Sequence, residues 1–118
     1  LKGGFTIPKN YVGTPKIVVV WTATAITGNV VWDFDYRAVG GNDTESLDQA
    51  GTQESVTVTD AAPTAVNNRL EASMALTAAN LAIDDEVEFE VFRDGADAAD
   101  TMAAAGIVFN ILFEYVDA

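Results

Sequence analysis

The chain has 118 residues, 49% of them hydrophobic, so its length and composition suit one domain with one sizeable core. Its 18 acidic residues outnumber six basic ones and give a net charge of −12, which argues against nucleic-acid binding and against electrostatic attraction to anionic lipid. It has no cysteine and no histidine, which excludes disulfides and thiolate metal sites and removes the commonest general base.

The same totals define the class of protein that we expect. No apolar run approaches the roughly 20 residues of a membrane-spanning helix. We therefore predict a protein that is not an enzyme, binds no cofactor, and has neither nucleic acid nor a membrane as a partner.

Residues 1–16 differ in composition from the rest of the chain. All the lysines lie here, and no acidic residue precedes Asp33. A short edge strand is predicted around Phe5 and Ile7, because the neighbouring prolines cannot donate to a sheet. We therefore divide the chain into an extended basic N-terminal arm with an edge strand, residues 1–16, and a β-sandwich domain, residues 17–118. Four side chains of the arm are candidates for contact with a partner chain: Phe5, Ile7, Lys9 and Lys16. The alternative is that the lysines lie on the surface by chance.

Two strands joined by a tight turn are predicted between Ile17 and Val39. The first is apolar on both faces over residues 17–21, which is typical of a strand buried on both sides in a sandwich core or beneath a partner subunit. The turn contains Gly28, which is free to adopt a positive φ. The second strand alternates between an apolar and a polar face, which indicates an antiparallel sheet with one side toward a core. Its apolar face carries Val30, Trp32, Phe34 and Tyr36.

Four further strands follow, separated by loops. They cover residues 55–59, 69–76, 86–93 and 107–116, and the last is apolar on nearly both faces, which predicts a central position. The loops cover residues 40–54, 60–68 and 94–105, while residues 77–83 predict one helical turn and the alanines from about Ala98 permit a short helix. The pattern predicts an all-β fold, a single antiparallel β-sandwich of seven or eight strands with jelly-roll or related Greek-key topology.

The loop 94–105 carries the weak candidates for a calcium site, Asp94, Asp97 and Asp100. Carboxylates and loop carbonyls are the ligands that calcium prefers. The spacing is not that of an EF-hand, and an acidic chain carries loop aspartates in any case. We favour the alternative, in which these side chains face solvent or bond to nearby backbone.

Two of the predicted strands carry paired carboxylates on their polar faces. Paired carboxylates hydrolyse glycosides when they are held at the right separation in a cleft. Nothing in the sequence places the two faces opposite each other, so we interpret them as ordinary surface residues. The carboxylates are Asp33 and Asp35 on one strand and Glu86, Glu88 and Glu90 on the other.

Two arginines and one phenylalanine stand out on these strands. Arg37 beside Asp35 and Arg93 beside Asp94 predict surface or interface ion pairs, each contributing under about 1 kcal/mol if exposed. Phe92 falls on the same face as the glutamates, whereas the other strand aromatics fall at core positions. An exposed phenylalanine on an acidic face indicates contact with another chain, so Phe92 is a further candidate for partner contact.

A series of short motifs runs through nearly the whole chain. They are Ile7-Pro8-x-x-Tyr11-x-Gly13, a valine-rich strand with Trp21, Gly28-Asn29-Val30-Val31-Trp32, Phe92-Arg93-Asp94 with Asp97 and Asp100-Thr101, and a closing aromatic strand. In this order they resemble a group of small β-sandwich, jelly-roll-like virion structural proteins of tailed bacteriophages. None of the motifs is a catalytic signature.

The resemblance implies a structural role in a virion that is assembled in the cytoplasm of a bacterial host. Similar domains serve as capsid decoration (cement) proteins or as domains of tail fibres and tail tips, many as trimers and some as dimers. The implied partners are therefore further copies of the chain, with a trimer favoured and a dimer as the alternative, and the major capsid protein or another virion protein.

Three functions follow as expectations. The first is a capsid decoration protein that binds the outer shell as a symmetric oligomer. The second is a tail-fibre or tail-tip domain that binds the host surface. The third is a carbohydrate-binding or calcium-dependent adhesion module.

Overall fold

A computed structural model describes residues 1–40 and 51–118, and these residues form seven β-strands and one short 3₁₀ turn. The predicted all-β antiparallel sandwich is confirmed. The strands are β1 (Lys2–Thr6), β2 (Tyr11–Thr22), β3 (Asn29–Val39), β4 (Glu54–Ala61), β5 (Leu70–Ala75), β6 (Glu86–Arg93) and β7 (Ile107–Asp117). The 3₁₀ turn at Ala78–Asn80 lies within the predicted helical turn, whereas no helix follows Ala98.

The strands lie in two antiparallel sheets, one with the order β1-β6-β3-β4 and one with the order β5-β2-β7. The rims of β4 and β5 meet on one side of the sandwich, and β1 lies across from β7 on the other. Around the sandwich β3, β4 and β5 follow one another, and β6 returns to lie beside β3. This order, 6-3-4-5, is a Greek key.

The two strands predicted between Ile17 and Val39 correspond to β2 and β3, and both are inner strands of their sheets. β2 is the middle strand of its sheet, and residues 17–21 are all buried. Ile17, Val19 and Trp21 pack into the core, whereas Val18 and Val20 lie on the outer face between β5 and β7. β3 alternates as predicted. Trp32, Phe34 and Tyr36 point into the core, and Asp33 and Asp35 are half-exposed on the outer face.

Aromatic side chains pack both between the two sheets and within one of them. The Trp21 and Trp32 rings meet edge to face across the sandwich with their centroids 5.5 Å apart, and the Trp21 indole N–H donates to Asp60 Oδ2 at 2.9 Å. Within the four-stranded sheet, Phe34 of β3 stacks on Phe89 of β6 at 5.2 Å. Such pairs contribute about 0.5–1.5 kcal/mol each beyond the area that they bury.

The turn before β3 depends on Gly28. Its φ of +91° is the positive value predicted, and an added Cβ would lie 2.8 Å from the backbone of Met102. The chain around Met102 is close because the backbone N–H groups of Thr101 and Met102 both donate to the Asn29 carbonyl oxygen, at 2.8 and 2.9 Å. The loop after β6 therefore packs directly on this turn, and glycine is required there for both backbone conformation and space.

The last strand is not central, which corrects the prediction. β7 is an edge strand that pairs only with β2 among the described strands. The central position was predicted because β7 is apolar on both faces, a pattern that an edge strand can share. A bulge adds to the difference: Val20 pairs with Asn110 but Trp21 pairs with Val108, so Phe109 is the extra residue and points outward, 70% exposed.

The predicted division between residues 16 and 17 falls inside β2, so residues 1–16 do not form a separate arm. The edge strand predicted around Phe5 is present as β1, which pairs with β6. Ile7 is fully buried in the core, and its backbone N–H and carbonyl bond to Asp85 and Asp84 at 2.8 and 3.0 Å. The N-terminal segment is thus an integral part of the sandwich.

Candidate functional site

The side of the sandwich where β1 and β7 face each other is open, and we call this side the open rim. An apolar cleft of about 340 Å³ lies between the two strands. Phe5 bridges it, with ring centroids 4.9 Å from Phe113 and 6.0 Å from Phe89. The cleft is lined mainly by Phe5, Pro8, Phe89, Ile111, Phe113 and Tyr115.

The outer face of β7 adds a second apolar surface to the open rim. Ile107, Phe109 and Val116 are all more than two-fifths exposed, and Val12 of β2 is exposed beside Val116. Residues 102–113 contain no charged residue although the chain carries 18 acids. Proteins usually protect a long edge strand with charges, prolines or a covering element, because it offers unpaired N–H and C=O groups to other strands. The first seven residues of β7 lack charges and prolines.

The five predicted partner-contact residues do not form one surface. Phe5 lines the cleft at the open rim, but Ile7 is buried in the core and is not accessible to a partner, which corrects that prediction. Lys9 is exposed and pairs with Asp84 at 2.9 Å. Lys16 lies opposite Glu114 on the outer face of β2, and Phe92 is half-buried beside Asp33 on the other sheet.

The weak calcium candidates have other partners. Asp100 is almost completely buried, and its carboxylate accepts two hydrogen bonds from the Arg93 guanidinium, at 2.5 and 2.8 Å, and one from the Val31 N–H at 3.1 Å. Asp94 and Asp97 accept from backbone N–H groups within their own turns. Within residues 1–40 and 51–118 the acidic side chains form no group of three that could hold a metal ion.

The sequence predicts an ion pair between Arg93 and the adjacent Asp94, which is wrong. Arg93 pairs with Asp100 instead. The guanidinium also donates to the carbonyl oxygens of Met102 and Ala104, both at 2.6 Å. Its hydrogen bonds hold the pKa of the Asp100 carboxyl below the usual value, and Asp100 raises the pKa of Arg93 in turn. This cluster fixes residues 94–106 against β3, which is a structural role.

The paired carboxylates share one face, because β3 and β6 are neighbours in the same sheet. Asp35 lies directly opposite Glu90, and Glu88 lies opposite Arg37. Lys2 of β1 is the other neighbour of Glu90. A surface groove of about 330 Å³ runs over these side chains. Lys2 and Arg37 each lie beside one of these glutamates, while Asp35 and Glu90 place two acids next to each other, so this is an exposed, mainly acidic sheet surface.

A polar network that the sequence did not indicate closes one end of the sandwich. The Tyr36 hydroxyl donates to Glu54 Oε1 at 2.6 Å, and the backbone N–H and hydroxyl of Thr77 donate to the same carboxylate. Burial, and then the bond to Glu54, raise the pKa of Tyr36. Burial alone would raise the pKa of Glu54, but the hydrogen bonds from Thr77 and Tyr36 lower it. The network ties the 3₁₀ turn to β3 and β4.

No family model, no curated protein and no solved structure matches this chain. Among the described residues, no helix has the length and apolarity needed to cross a membrane.

Proposed function

We propose that this chain is a non-enzymatic virion structural protein of a tailed bacteriophage, and that it binds the outer surface of the capsid as a symmetric oligomer, in the role of a decoration protein. The open rim carries the proposal. It offers an edge strand with no neighbour on its outer side among the described strands, an apolar cleft and an apolar outer face, which together favour binding to another protein chain, a further copy of this one included. The resemblance of the motif order to small phage virion proteins supplies the class of partner.

The acidic surface is consistent with this role. Copies with a net charge of −12 repel one another in solution, which keeps the protein soluble at high local concentration. Binding to a shell then depends on the area buried at specific contacts.

The copy number in purified virions tests the proposal. A decoration protein is present at hundreds of copies per particle, whereas a tail-fibre or tail-tip domain is present at tens or fewer. An antibody raised against the purified chain identifies the band, and quantitative gel densitometry against the major capsid protein gives the ratio. A ratio near that of the tail proteins, or no band in virions, would overturn the assignment to the capsid.

A further inference from the structure

We propose that the open rim binds a second copy of this chain, with β7 pairing antiparallel to β7 of the second copy about a two-fold axis at Leu112. The two three-stranded sheets then become one continuous six-stranded sheet. This inference concerns the chain itself and does not depend on binding to a capsid.

The first argument is the distribution of charge along β7. Two copies with a net charge of −12 each can approach only where their surfaces are neutral or complementary. Ile107–Phe113 is neutral, and the acids of β7, Glu114 and Asp117, lie toward its end. The part of the rim with the fewest charges is thus the outer edge of β7, which favours another copy of the same chain. The Ile111 N–H there donates to Asn110 Oδ1 at 2.9 Å and would exchange this bond for a carbonyl oxygen of the second copy.

The second argument is the register. Residues opposite each other across β2 and β7 share a face, so Asn110, Leu112 and Glu114 lie on the outer face with their partners Val20, Val18 and Lys16. A two-fold axis at Leu112 places Asn110 of each copy opposite Glu114 of the other. A side-chain amide donates to a carboxylate, so this register forms two identical polar contacts and brings no acid opposite an acid.

The third argument is the cleft. In the same register Ile111 lies opposite Phe113 of the second copy on the inner face, where both residues already line the cleft. Because β1 lies across the cleft from β7, the two-fold axis also brings the two β1 strands near each other. The two clefts then merge into one apolar interior, and the sandwich core continues from one copy to the next.

A two-fold pair differs from the trimer that the sequence resemblance favours. Pairing of an edge strand with itself is isologous, because the same residues contribute from both sides. A trimer would require two different surfaces on each copy to meet.

Disulfide cross-linking tests the register directly, because the natural chain has no cysteine. In the proposed pair, Leu112→Cys places two thiols opposite each other at the axis. Facing residues in antiparallel strands have Cα atoms about 4.5–5.5 Å apart, within the range of a disulfide. The control is Ser73→Cys, which places a cysteine on the exposed face of β5, the other edge strand of the same sheet.

We expect Leu112→Cys to form a disulfide-linked dimer under mild oxidation at least about tenfold faster than Ser73→Cys at equal concentration, with unchanged circular dichroism. Equal rates for the two variants would overturn the proposal.

Charge substitution gives an independent measurement of the same contact. Asn110→Lys should tighten the dimer about tenfold by pairing with Glu114, and Asn110→Glu should weaken it by a similar factor through repulsion. Ser73→Lys and Ser73→Glu make the same changes of net charge at the opposite edge. Dissociation constants are measured by sedimentation equilibrium at about 0.15 M ionic strength.

The proposal is overturned if the natural chain sediments as a monomer or a trimer up to about 1 mM. It is also overturned if the Asn110 and Ser73 variants shift the dissociation constant equally. The proposal is supported if the natural chain sediments with twice its 12.5 kDa mass and the two Asn110 variants shift the dissociation constant in opposite directions.

Discussion

Arg93 and Asp100 show how one pair of side chains can fix a long loop. The Asp100 side chain is 3% exposed, and both of its oxygens are occupied by the Arg93 guanidinium. Two of the remaining three guanidinium hydrogens bond to carbonyl oxygens of the same loop. Every charged atom of the pair therefore has a partner, which is the condition under which a buried pair is tolerated.

Asp100→Asn should destabilise the fold by about 3 kcal/mol, because it leaves the guanidinium charge uncompensated in a largely buried site. Urea denaturation measures the free energy of unfolding. The matched control is Glu71→Gln, which removes the carboxylate of the exposed Arg69–Glu71 pair and should cost under about 1 kcal/mol. Equal losses for the two variants would show that Asp100 contributes no more than a surface residue.

The same substitution carries a pH signature. The pKa of Asp100 is lower in the folded state than in the unfolded state, because Arg93 favours the carboxylate. The unfolded state therefore binds more protons near the ordinary aspartate pKa of about 3.9, and the stabilisation is present above that pH. It is lost as the pH falls through the folded pKa.

We expect the difference in unfolding free energy between the natural chain and Asp100→Asn to be constant from about pH 7 to about pH 5 and to shrink below about pH 4. Urea titrations at a series of pH values measure it. A difference that persists unchanged at about pH 2 would contradict the linkage to Asp100.

At the scale of elements, the first strand is held by more than its pairing with β6. Ile7 follows β1 directly, is fully buried, and bonds through its backbone to Asp84 and Asp85. Removal of residues 1–10 would delete an edge strand and open the core. Such a truncation therefore tests folding and does not isolate an effect on binding.

Ile7→Ala should cost about 2–5 kcal/mol, as expected for a large apolar side chain removed from a packed core. Ile83→Ala is the control, because Ile83 is 46% exposed and lies near the same turn. Its cost should be under about 1 kcal/mol by urea denaturation, since surface substitutions are usually mild. If both isoleucines cost the same, the N-terminal segment is not part of the core.

The alternation of apolar and polar residues correctly predicted the strands that have one buried face. β3 and β6 follow it closely, and the predicted bounds of β6, residues 86–93, are those observed. β7 was misplaced because apolar residues on both faces are equally consistent with burial between neighbours and with a surface that binds another chain. The bulge at Phe109 reverses the alternation, and no residue pattern indicated it.

The site was less predictable than the fold because it depends on which strands become neighbours. The cleft joins Phe5 and Phe113, more than 100 residues apart, and sequence spacing does not reveal that β1 and β7 share a rim. Sequence proximity assigned Arg93 to the adjacent Asp94. Its actual partner, Asp100, is brought to β3 by the turn at Thr101 and Met102, and sequence spacing does not reveal that turn. Long-range contacts of this kind require the three-dimensional structure.

At the scale of the molecule, the balance of charge opposes both folding and association. A net charge of −12 on a chain of 12.5 kDa favours expanded and separated states. The acidic outer face of β6 concentrates part of that charge on one side, whereas the open rim carries little. Salt should therefore act on the fold and on the pair in the same direction.

Raising the ionic strength from about 0.02 M to about 0.5 M should raise the melting temperature by a few degrees and tighten the dimer, because screening lengths fall from about 20 Å to about 4 Å. Differential scanning calorimetry and sedimentation equilibrium measure the two effects. A melting temperature that falls with added sodium chloride would indicate that attractive pairs outweigh the net repulsion.

The indoles of Trp21 and Trp32, inclined at 70° to each other, supply an optical signal that distinguishes unfolding from dissociation of the pair. Rings at this distance couple their electronic transitions, so the folded chain should give a circular dichroism couplet that vanishes when the sheets separate. Both rings are buried, so subunit exchange leaves their surroundings intact. A single spectrum can then report unfolding while scattering reports assembly, without any added dye.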